Sequence, residues 1–308
     1  MHTLQNRIRH TLEKKNAILL AHYYQRKEIQ EIAHFLGDSL ELARKAQQTE
    51  HDIIVFAGVK FMAETAKILN PNRKVLLPSL EAGCSLADSC PPNEFAEFKK
   101  EHPDHLVVSY VNTSSEIKAM SDYICTSSNA LKVIENIPKS QPIIFAPDKN
   151  LGHYLNKITN RNMLLWDGVC TVHEAFSMEK MTNLKLKNMD AKIIAHPESD
   201  PVVLDIADFI GSTSALLNFV VNDKTEKYII ATEVGILDKM KIMAPNKTFI
   251  PAPVNENNTC ACSECAFMKT ITLENLYTSI VEEKHEIIVE PELAKKALIP
   301  LEKMINMN

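Results

Sequence analysis

Glycine is scarce in this chain, with only seven among 308 residues, and none of them forms a GxGxxG or GxxxxGK[ST] pattern. Those patterns bring backbone amides close to a phosphate, so their absence disfavours nucleotide binding through a known phosphate loop. No basic run is present, and a net charge of −5 gives no electrostatic case for nucleic acid. The sequence also lacks a signal-peptide core at its start and any apolar run of membrane-spanning length. We therefore expect a cytoplasmic protein that binds neither nucleic acid nor a membrane.

Cysteine does not occur in the pattern of a secreted disulfide protein. There are seven cysteines, an odd number, and four of them are widely scattered. Such spacing argues against a disulfide framework. In a reducing compartment these thiols are better suited to binding metal as thiolates.

What the chain does contain is one unit repeated three times. An apolar run ends in a ring-bearing residue that can hydrogen-bond at His22, Tyr110 and His196, with an interval of about 87 residues. Further apolar runs recur at matching offsets, and each copy leads to a cysteine or a cysteine group. Three copies that each deliver a thiol indicate one shared site where the units meet.

The repeat predicts the fold. Apolar runs such as residues 54–57 are continuous rather than alternating, which is typical of strands buried on both faces of a parallel sheet. Between them, Ile29, Ile32, Ala33 and Leu36 have the spacing of one buried helical stripe. Strands that alternate with helices predict an α/β fold with three repeated α/β/α units, whose small parallel sheets surround a pseudo-threefold axis.

The same repeat divides the chain into units 1–84, 85–170 and 171–265, with no flexible linker between them. Within the third unit, Asp200 followed by Pro201 predicts a helix start. Residues 266–308 belong to no repeat. We expect them to form closing helices packed on the first unit, because the N-terminus lies there.

The cysteines are the first candidate ligands. Ligands of open parallel sheets bind at the carboxyl ends of the strands, so residues just past the strands converge if the units face a common axis. Cys84 and Cys170 are equivalent in the repeat, whereas Cys125 is interpreted as a buried apolar side chain. Three thiolates with one vacant position fit a zinc ion with an open site or a [4Fe-4S] cluster with one free iron. Widely spread ligands without a fourth favour the cluster.

The third ligand is ambiguous from the residues alone. Repeat spacing favours Cys260 but does not settle the choice against Cys262 or Cys265. Cys262 and Cys265 also form a CxxC pair, which suits a redox switch or a metal knuckle.

Hydroxyl groups recur at the helix starts of the three units. The clusters are residues 38–39, 126–128 and 212–214. Hydroxyls beside the free amides of a helix start form an anion site, although simple N-capping is the better explanation for any one copy. Three such hydroxyl clusters, one from each unit and all directed at the place where the units meet, favour a ligand with several negative groups. The strand-end residues add acid–base candidates to the site, and His173 follows Cys170 closely enough to line it.

In these residues the sequence resembles the quinolinate synthase family. The resemblance spans nearly the whole chain, and the matching segments are residues 21–25, 37–43, 110–116, 125–130, 147–152, 168–173, 195–200, 211–214 and 265–275. One departure is the last cysteine group, Cys260-Ala-Cys262-Ser-Glu-Cys265, where the family often has CxxCxxC. A disulfide switch that involves the first two of these thiols is therefore only a hypothesis.

The resemblance implies a transferase that condenses iminoaspartate (iminosuccinate) with dihydroxyacetone phosphate to give quinolinate, phosphate and water in NAD biosynthesis. It implies a [4Fe-4S] cluster held by Cys84, Cys170 and Cys265, with an open iron that acts as a Lewis acid. The choice of Cys265 overrides the spacing argument for Cys260. Functional coupling to L-aspartate oxidase is a further implication.

The resemblance also implies the substrate contacts, which fall on the strand ends and helix starts: His22, Ser39, Tyr110, Asn112, Ser127, His196, Glu198 and Thr213. We interpret Glu198 and Tyr24 as the proton-transfer residues and expect His173 to help close the site. Two rival hypotheses are a cluster-dependent hydro-lyase that acts on a hydroxydicarboxylate and a non-catalytic iron–sulfur or zinc regulator.

Overall fold

The computed structural model describes residues 3–255 and 263–307. The first unit consists of α1 (Leu4–Lys14), β1 (Ala17–His22), α2 (Lys27–Gln30), β2 (Phe35–Gly37), α3 (Ser39–Gln48), β3 (Ile53–Ala57), α4 (Lys60–Leu69) and β4 (Lys74–Leu76). The second consists of α5 (Ser85–Asp88), α6 (Pro92–Glu101), β5 (Leu106–Tyr110), α7 (Ser115–Met120), β6 (Tyr123–Cys125), α8 (Ala130–Glu135), β7 (Ile143–Ala146), α9 (Lys149–Thr159) and β8 (Leu164–Leu165).

The third unit has the same alternation of elements. It consists of α10 (Thr171–Glu174), α11 (Met178–Lys187), β9 (Lys192–Ala195), α12 (Pro201–Leu204), β10 (Phe209–Ile210), α13 (Thr213–Asn222), β11 (Lys227–Ala231), α14 (Ile236–Met243) and β12 (Thr248–Pro251). A 3₁₀ turn (Met268–Thr270) and two helices, α15 (Leu273–Glu282) and α16 (Pro291–Asn306), complete the chain.

The three units share one sheet topology. Each forms a four-stranded sheet with the orders β2–β1–β3–β4, β6–β5–β7–β8 and β10–β9–β11–β12. Every strand pair in these sheets is parallel. Matching positions also pair alike, since His22 lies opposite Gly37 in the first sheet and Tyr110 opposite Cys125 in the second. The predicted α/β fold of three repeated units is confirmed.

The first of three hydrophobic clusters among the described residues contains buried side chains from all three units. All six residues of β1 and all five of β3 are buried, as the continuous apolar runs predict. Leu20 from the first unit, Phe145 from the second and Tyr228 from the third belong to the same cluster of buried side chains. Because burying such a side chain contributes about 1.5–3 kcal/mol, the shared core holds the units together.

Two local predictions had different outcomes. Helix α2 ends at Gln30, and Leu36 lies in β2, where it pairs with Ala21, so the long helical stripe was wrong. Strand pairing already begins before β2, because the amide of His34 donates to Leu19 O at 2.9 Å. The predicted helix start is confirmed, since the Asp200 side chain accepts from the amide of Val202 and a proline follows it in α12.

The closing helices lie on two units rather than on one. Helix α15 packs on α1, whereas α16 contacts α7 and β6 of the second unit as well as α3 and α4 of the first. Arg44 of α3 donates to Ile305 O at 3.0 Å, and Lys303 donates to Asp122 O at 3.0 Å. At 16 residues α16 is the longest helix in the described parts of the chain, and none of their helices is long and apolar enough to cross a membrane.

Candidate functional site

Side chains from all three units line a cavity of about 330 Å³, at the ends where the parallel strands finish. The structure brings every candidate site residue named from the sequence to its walls, apart from Cys260 and Cys262, which lie outside the described residues. These residues are His22, Tyr24, Ser39, Cys84, Tyr110, Asn112, Ser127, Cys170, His173, His196, Glu198, Thr213 and Cys265. Their convergence follows from the shared topology, because each sheet directs its strand ends towards the same junction.

Three of the lining residues are cysteines. Cys84 and Cys170 are the N-cap residues of the short helices α5 and α10, and the hydroxyls of Ser85 and Thr171 beside them lie 3.0 Å apart. Burial raises the pKa of the Cys84 thiol to about 12. It also raises the pKa of Cys170 and of Cys265. Thiolates in this cavity therefore require a nearby positive charge, which a bound metal provides.

The donor set fits a [4Fe-4S] cluster with an open iron. Among the described residues no cysteine other than these three lines the cavity. A structural zinc site would require four closed ligands, whereas three thiolates leave one position for a substrate. Cys125 is fully buried in β6, as predicted for an apolar side chain. Cys260 and Cys262 lie outside the described residues, so the spacing argument for Cys260 stays a prediction.

A second group of metal-binding atoms overlaps the first. Single donor atoms of Cys170, His173 and Glu198 all lie within 4.8 Å of one another. His173 Nδ1 is 3.2 Å from Cys170 Sγ and 3.3 Å from Glu198 Oε2. Because the two groups share Cys170, they are parts of one wall of the cavity.

The two histidines at strand ends have matching environments. The backbone amide of Tyr24 donates to His22 Nδ1 at 3.1 Å, and that of Glu198 donates to His196 Nδ1 at 3.4 Å. Burial lowers the pKa of His22 to about 4 and that of His196 to about 3. Both imidazoles are therefore neutral at pH 7, with Nδ1 as acceptor and the proton on Nε2. Each can donate a hydrogen bond to an anionic ligand.

The buried neutral histidines predict an acid-dependent stability. Between pH 6.5 and about 4 an unfolded chain binds a proton at position 22 that the folded protein does not, so the free energy of unfolding falls as the pH is lowered. The shift corresponds to at most about 3 kcal/mol. We expect His22→Asn, which keeps an acceptor for the amide of Tyr24, to reduce this dependence. Urea unfolding of the cluster-free protein at several pH values measures the free energy of unfolding. If it falls equally steeply with decreasing pH in the wild type and in His22→Asn, the prediction is contradicted.

Glu198 is the buried carboxylate of the cavity. Its Oε1 accepts a hydrogen bond of 2.5 Å from the Tyr110 hydroxyl. Burial alone would raise the pKa of Glu198, but His173, His196 and the bond from Tyr110 together lower it to about 2. Burial and the facing carboxylate raise the pKa of Tyr110 well above its ordinary value. The pair therefore consists of an ionised carboxylate and a protonated phenol.

Tyr24 is held by two threonine hydroxyls of the third unit. Its hydroxyl lies 3.0 Å from Thr213 Oγ1 and 2.8 Å from Thr232 Oγ1. Thr232 Oγ1 is in turn 3.0 Å from His173 Nε2. Burial raises the pKa of Tyr24, so this phenol is protonated too. The contacts join residues from the first and third units on one side of the cavity.

Helix capping accounts for some of the clustered hydroxyls but not for those that line the cavity. Asp38 caps α3 and Ser212 caps α13, so the adjacent Ser39 and Thr213 are first helical residues with hydroxyls at the cavity. The second cluster differs from the prediction, because α8 begins only at Ala130. Ser127 lies in the turn before it, with its Oγ 3.2 Å from His196 Nε2.

Two polar atoms at the cavity lack a partner within the described residues. They are Asn112 Oδ1 and Ser263 Oγ, and both are buried. Leaving such an atom without a hydrogen bond costs about 1–3 kcal/mol. A polar ligand in the cavity would satisfy them.

Sequence reasoning missed three residues at or beside the site. Thr232 and Glu233 follow β11, and Lys269 forms an ion pair of 3.0 Å with Glu233. The rule that ligands bind past the strand ends could have indicated the first two. For Lys269 the repeat gives no signal, and the only indication in the sequence is that it lies within the family-matching segment 265–275.

Comparison with known proteins agrees with this geometry. A family model described as quinolinate synthetase A protein matches residues 6–306. The chain belongs to this family. The resemblance drawn from the sequence motifs is therefore confirmed, and because members of the family are enzymes, so is this chain.

Several quinolinate synthases are close relatives over most of their length. The one from a Nostoc species is 58% identical over 293 residues, which are 95% of this chain and 90% of the relative. The one from Chloroherpeton thalassium is 56% identical over 293 residues, or 95% and 91% of the two chains. The one from a Synechococcus species is 55% identical over 296 residues, or 96% and 92%.

Proposed function

We propose that this enzyme is a quinolinate synthase, a transferase that condenses iminoaspartate with dihydroxyacetone phosphate to quinolinate, phosphate and water in NAD biosynthesis. Relatives of that name, 55–58% identical over nearly the whole chain, support it. The structural observation that carries it is the meeting of thiols and hydroxyls from three units at one cavity. Free thiols also suit a reducing compartment, and we propose that the enzyme works in the cytoplasm.

The proposed cofactor is a [4Fe-4S] cluster that Cys84, Cys170 and Cys265 would hold. With three cysteine ligands, its fourth iron would act as a Lewis acid on an oxygen or nitrogen of the condensing substrates. The condensation needs no net oxidation or reduction. The side chains of the cavity would bind the anionic substrates and transfer the protons.

The substrates bring two carboxylates and one phosphate to a cavity rich in neutral donors. His22 and His196 present Nε2–H groups, and the amide NH2 of Asn112 is a further donor, while its unpartnered Oδ1 would accept from an N–H or O–H of a substrate. Three hydroxyls, those of Ser39, Ser127 and Thr213, line the same walls. Neutral donors of this kind bind carboxylates and phosphate by charge-assisted hydrogen bonds.

Proton transfer is assigned to Glu198 and Tyr24. Glu198 is an ionised carboxylate in a buried site, and it can accept a proton from a substrate carbon or nitrogen. Tyr24 keeps its proton and can donate it to a leaving oxygen. Tyr110 orients the carboxylate through its hydroxyl, and His173 closes the wall between Cys170 and Thr232.

The reaction requires a supply of iminoaspartate, which as an imine hydrolyses in water. Functional coupling to L-aspartate oxidase, which would produce it, is therefore part of the proposal. It concerns supply of the substrate and assumes no docking surface on this chain.

A substrate-omission assay tests the proposal. Protein purified without oxygen is expected to contain about four irons per chain and to form quinolinate only when both iminoaspartate and dihydroxyacetone phosphate are present. Product analysis by mass spectrometry and iron and sulfide determination measure these outcomes. Dehydration of a hydroxydicarboxylate alone would indicate a hydro-lyase instead. Zinc without iron, and no turnover with any small acid, would indicate a regulator.

A further inference from the structure

The thiol of Cys265 is positioned differently from the other two. Cys84 and Cys170 occupy equivalent N-cap positions before short helices, and the repeat supplies the backbone geometry of both. Cys265 instead lies in an irregular segment before the 3₁₀ turn Met268–Thr270. Some other feature of the chain must therefore fix its backbone.

That feature is a buried carboxylate from the third unit. Glu233 follows β11 and has a side chain that is only 1% exposed. Its Oε1 accepts from the backbone amide of Cys265 at 3.2 Å and lies 3.0 Å from Lys269 Nζ. Its Oε2 accepts from the amide of Gly235 at 2.6 Å. One carboxylate thus joins a strand end, the cysteine backbone and a lysine on the same segment.

Lys269 connects this segment to the first unit. Its Nζ donates to Tyr24 O at 2.6 Å, two residues beyond His22 at the end of β1. The guanidinium of Arg26 donates to Lys269 O at 2.8 Å, and the amide of Lys269 donates to Cys265 O at 3.2 Å. The segment is therefore clamped between the first and third units by groups on both of its sides.

We propose that Glu233 and Lys269 are positioning residues that hold the thiol of Cys265 towards Cys84 and Cys170. This inference rests on the proposed function, because it takes the three thiols as cluster ligands. Its mechanism is geometric: the carboxylate fixes the cysteine amide, and the ammonium fixes the carboxylate against the first unit. Residues that orient metal ligands in this way contribute to retention of the metal.

Removing either partner has a defined consequence. Lys269→Met keeps the length of the side chain but leaves a buried carboxylate without its cation. Glu233→Gln replaces one acceptor oxygen by a donor, so the amide group faces N–H donors that it cannot satisfy. Both changes free the backbone of Cys265, while Cys84 and Cys170 keep their helix N-cap positions.

The test compares iron loss in the full-length, anaerobically reconstituted protein. Iron release to a chelator is expected to be about 10–100-fold faster in Lys269→Met and Glu233→Gln than in the wild type. The double variant is expected to be no faster than the worse single variant, because both act through one pair. Lys269→Arg is expected to recover most of the retention. A matched control is Lys157→Met, which breaks an exposed ion pair of 2.7 Å with Asp205 and should leave the rate unchanged.

A second readout does not need the cluster. In cluster-free protein, alkylation by iodoacetamide followed by mass spectrometry reports the exposure of each thiol. Lys269→Met is expected to speed alkylation of Cys265 about tenfold, while Cys84 reacts as in the wild type. Tenfold is the lower end of the change expected for iron release. Equal acceleration at both cysteines, or at neither, would overturn the inference, since the first result means a general loosening of the fold.

The two hypotheses fail in different ways. A wild type that retains no iron contradicts the proposed ligand set, and the alkylation pattern still decides whether the pair positions Cys265. A wild type that retains iron, with variants that retain it equally well, contradicts the positioning role alone. If the variants instead lose thermal stability with no change in iron release from the folded protein, the pair is an ordinary stabilising ion pair and the inference is wrong.

Discussion

Cys265→Ser is expected to give a folded protein that retains no intact cluster and forms no detectable quinolinate. The residue is the third cysteine at the cavity, and its loss leaves two thiols in a site that the described residues do not otherwise complete with a cysteine. A serine hydroxyl is a far weaker ligand for iron than a thiolate. Iron and sulfide content, visible absorbance and product analysis measure the loss, and circular dichroism checks the fold.

The controls separate ligand thiols from the others. Cys125→Ser removes a thiol that is fully buried in β6 and does not line the cavity, so the cluster should be retained. The combined Cys260→Ser and Cys262→Ser protein should also retain it and should show whether oxidation still inactivates the enzyme. Loss of the cluster in that protein, together with retention in Cys265→Ser, would move the third ligand to Cys260 or Cys262.

The contrast among these cysteines shows what the sequence could reveal. Repetition identified Cys84 and Cys170, because both occupy the N-cap position before a short helix at the same place of a repeated unit. It could not identify the third, since the chain departs from the repeat before Cys265 and holds it through Glu233. Only the family resemblance selected Cys265, and the structure brings that residue to the cavity.

The fold was accessible from the sequence for a physical reason. Strands buried on both faces need continuous apolar runs. Three sets of such runs, repeated along the chain at a constant interval, are compatible with only a few topologies. Periodicity was less reliable near residue 36, where an apolar stripe with helical spacing runs into an edge strand. The position of α16 was also hidden, because an amphipathic helix shows which of its faces is apolar but not which two units it joins.

Polar contacts between units were the least predictable part of the site. The hydroxyl of Ser128 donates to Asp38 at 2.7 Å, and that of Ser214 donates to Glu41 at 2.7 Å. Both acceptors belong to the capping box of α3. Sequence alone leaves capping and ligand binding as alternatives for such residues. In the structure Ser128 and Ser214 bond to the capping box of α3 from the other two units, while the hydroxyl-bearing Ser39 and Thr213 line the cavity.

Glu198→Gln is expected to lower turnover by about 10²–10⁴-fold, the usual contribution of a general base, with little change in the cluster spectrum. Glutamine preserves the shape of the side chain and an oxygen that accepts the Tyr110 hydroxyl, but it cannot take up a proton. Steady-state kinetics with both substrates, beside the absorbance of the cluster, measure the two effects. Glu174→Gln is the matched control, because Glu174 accepts from Asn150 at 2.8 Å and does not line the cavity.

The pH profile decides whether Glu198 acts through its charge. Burial opposes ionisation, but His173, His196 and Tyr110 lower its pKa to about 2, so the carboxylate stays ionised down to mildly acidic pH. Tyr110→Phe removes one of those contributions. The acid limb of kcat should therefore move to higher pH in that variant, because a less stabilised carboxylate protonates earlier. An unchanged limb, or full turnover in Glu198→Gln, would remove Glu198 from proton transfer and leave Tyr24, with its hydroxyl held between Thr213 and Thr232, as the remaining candidate.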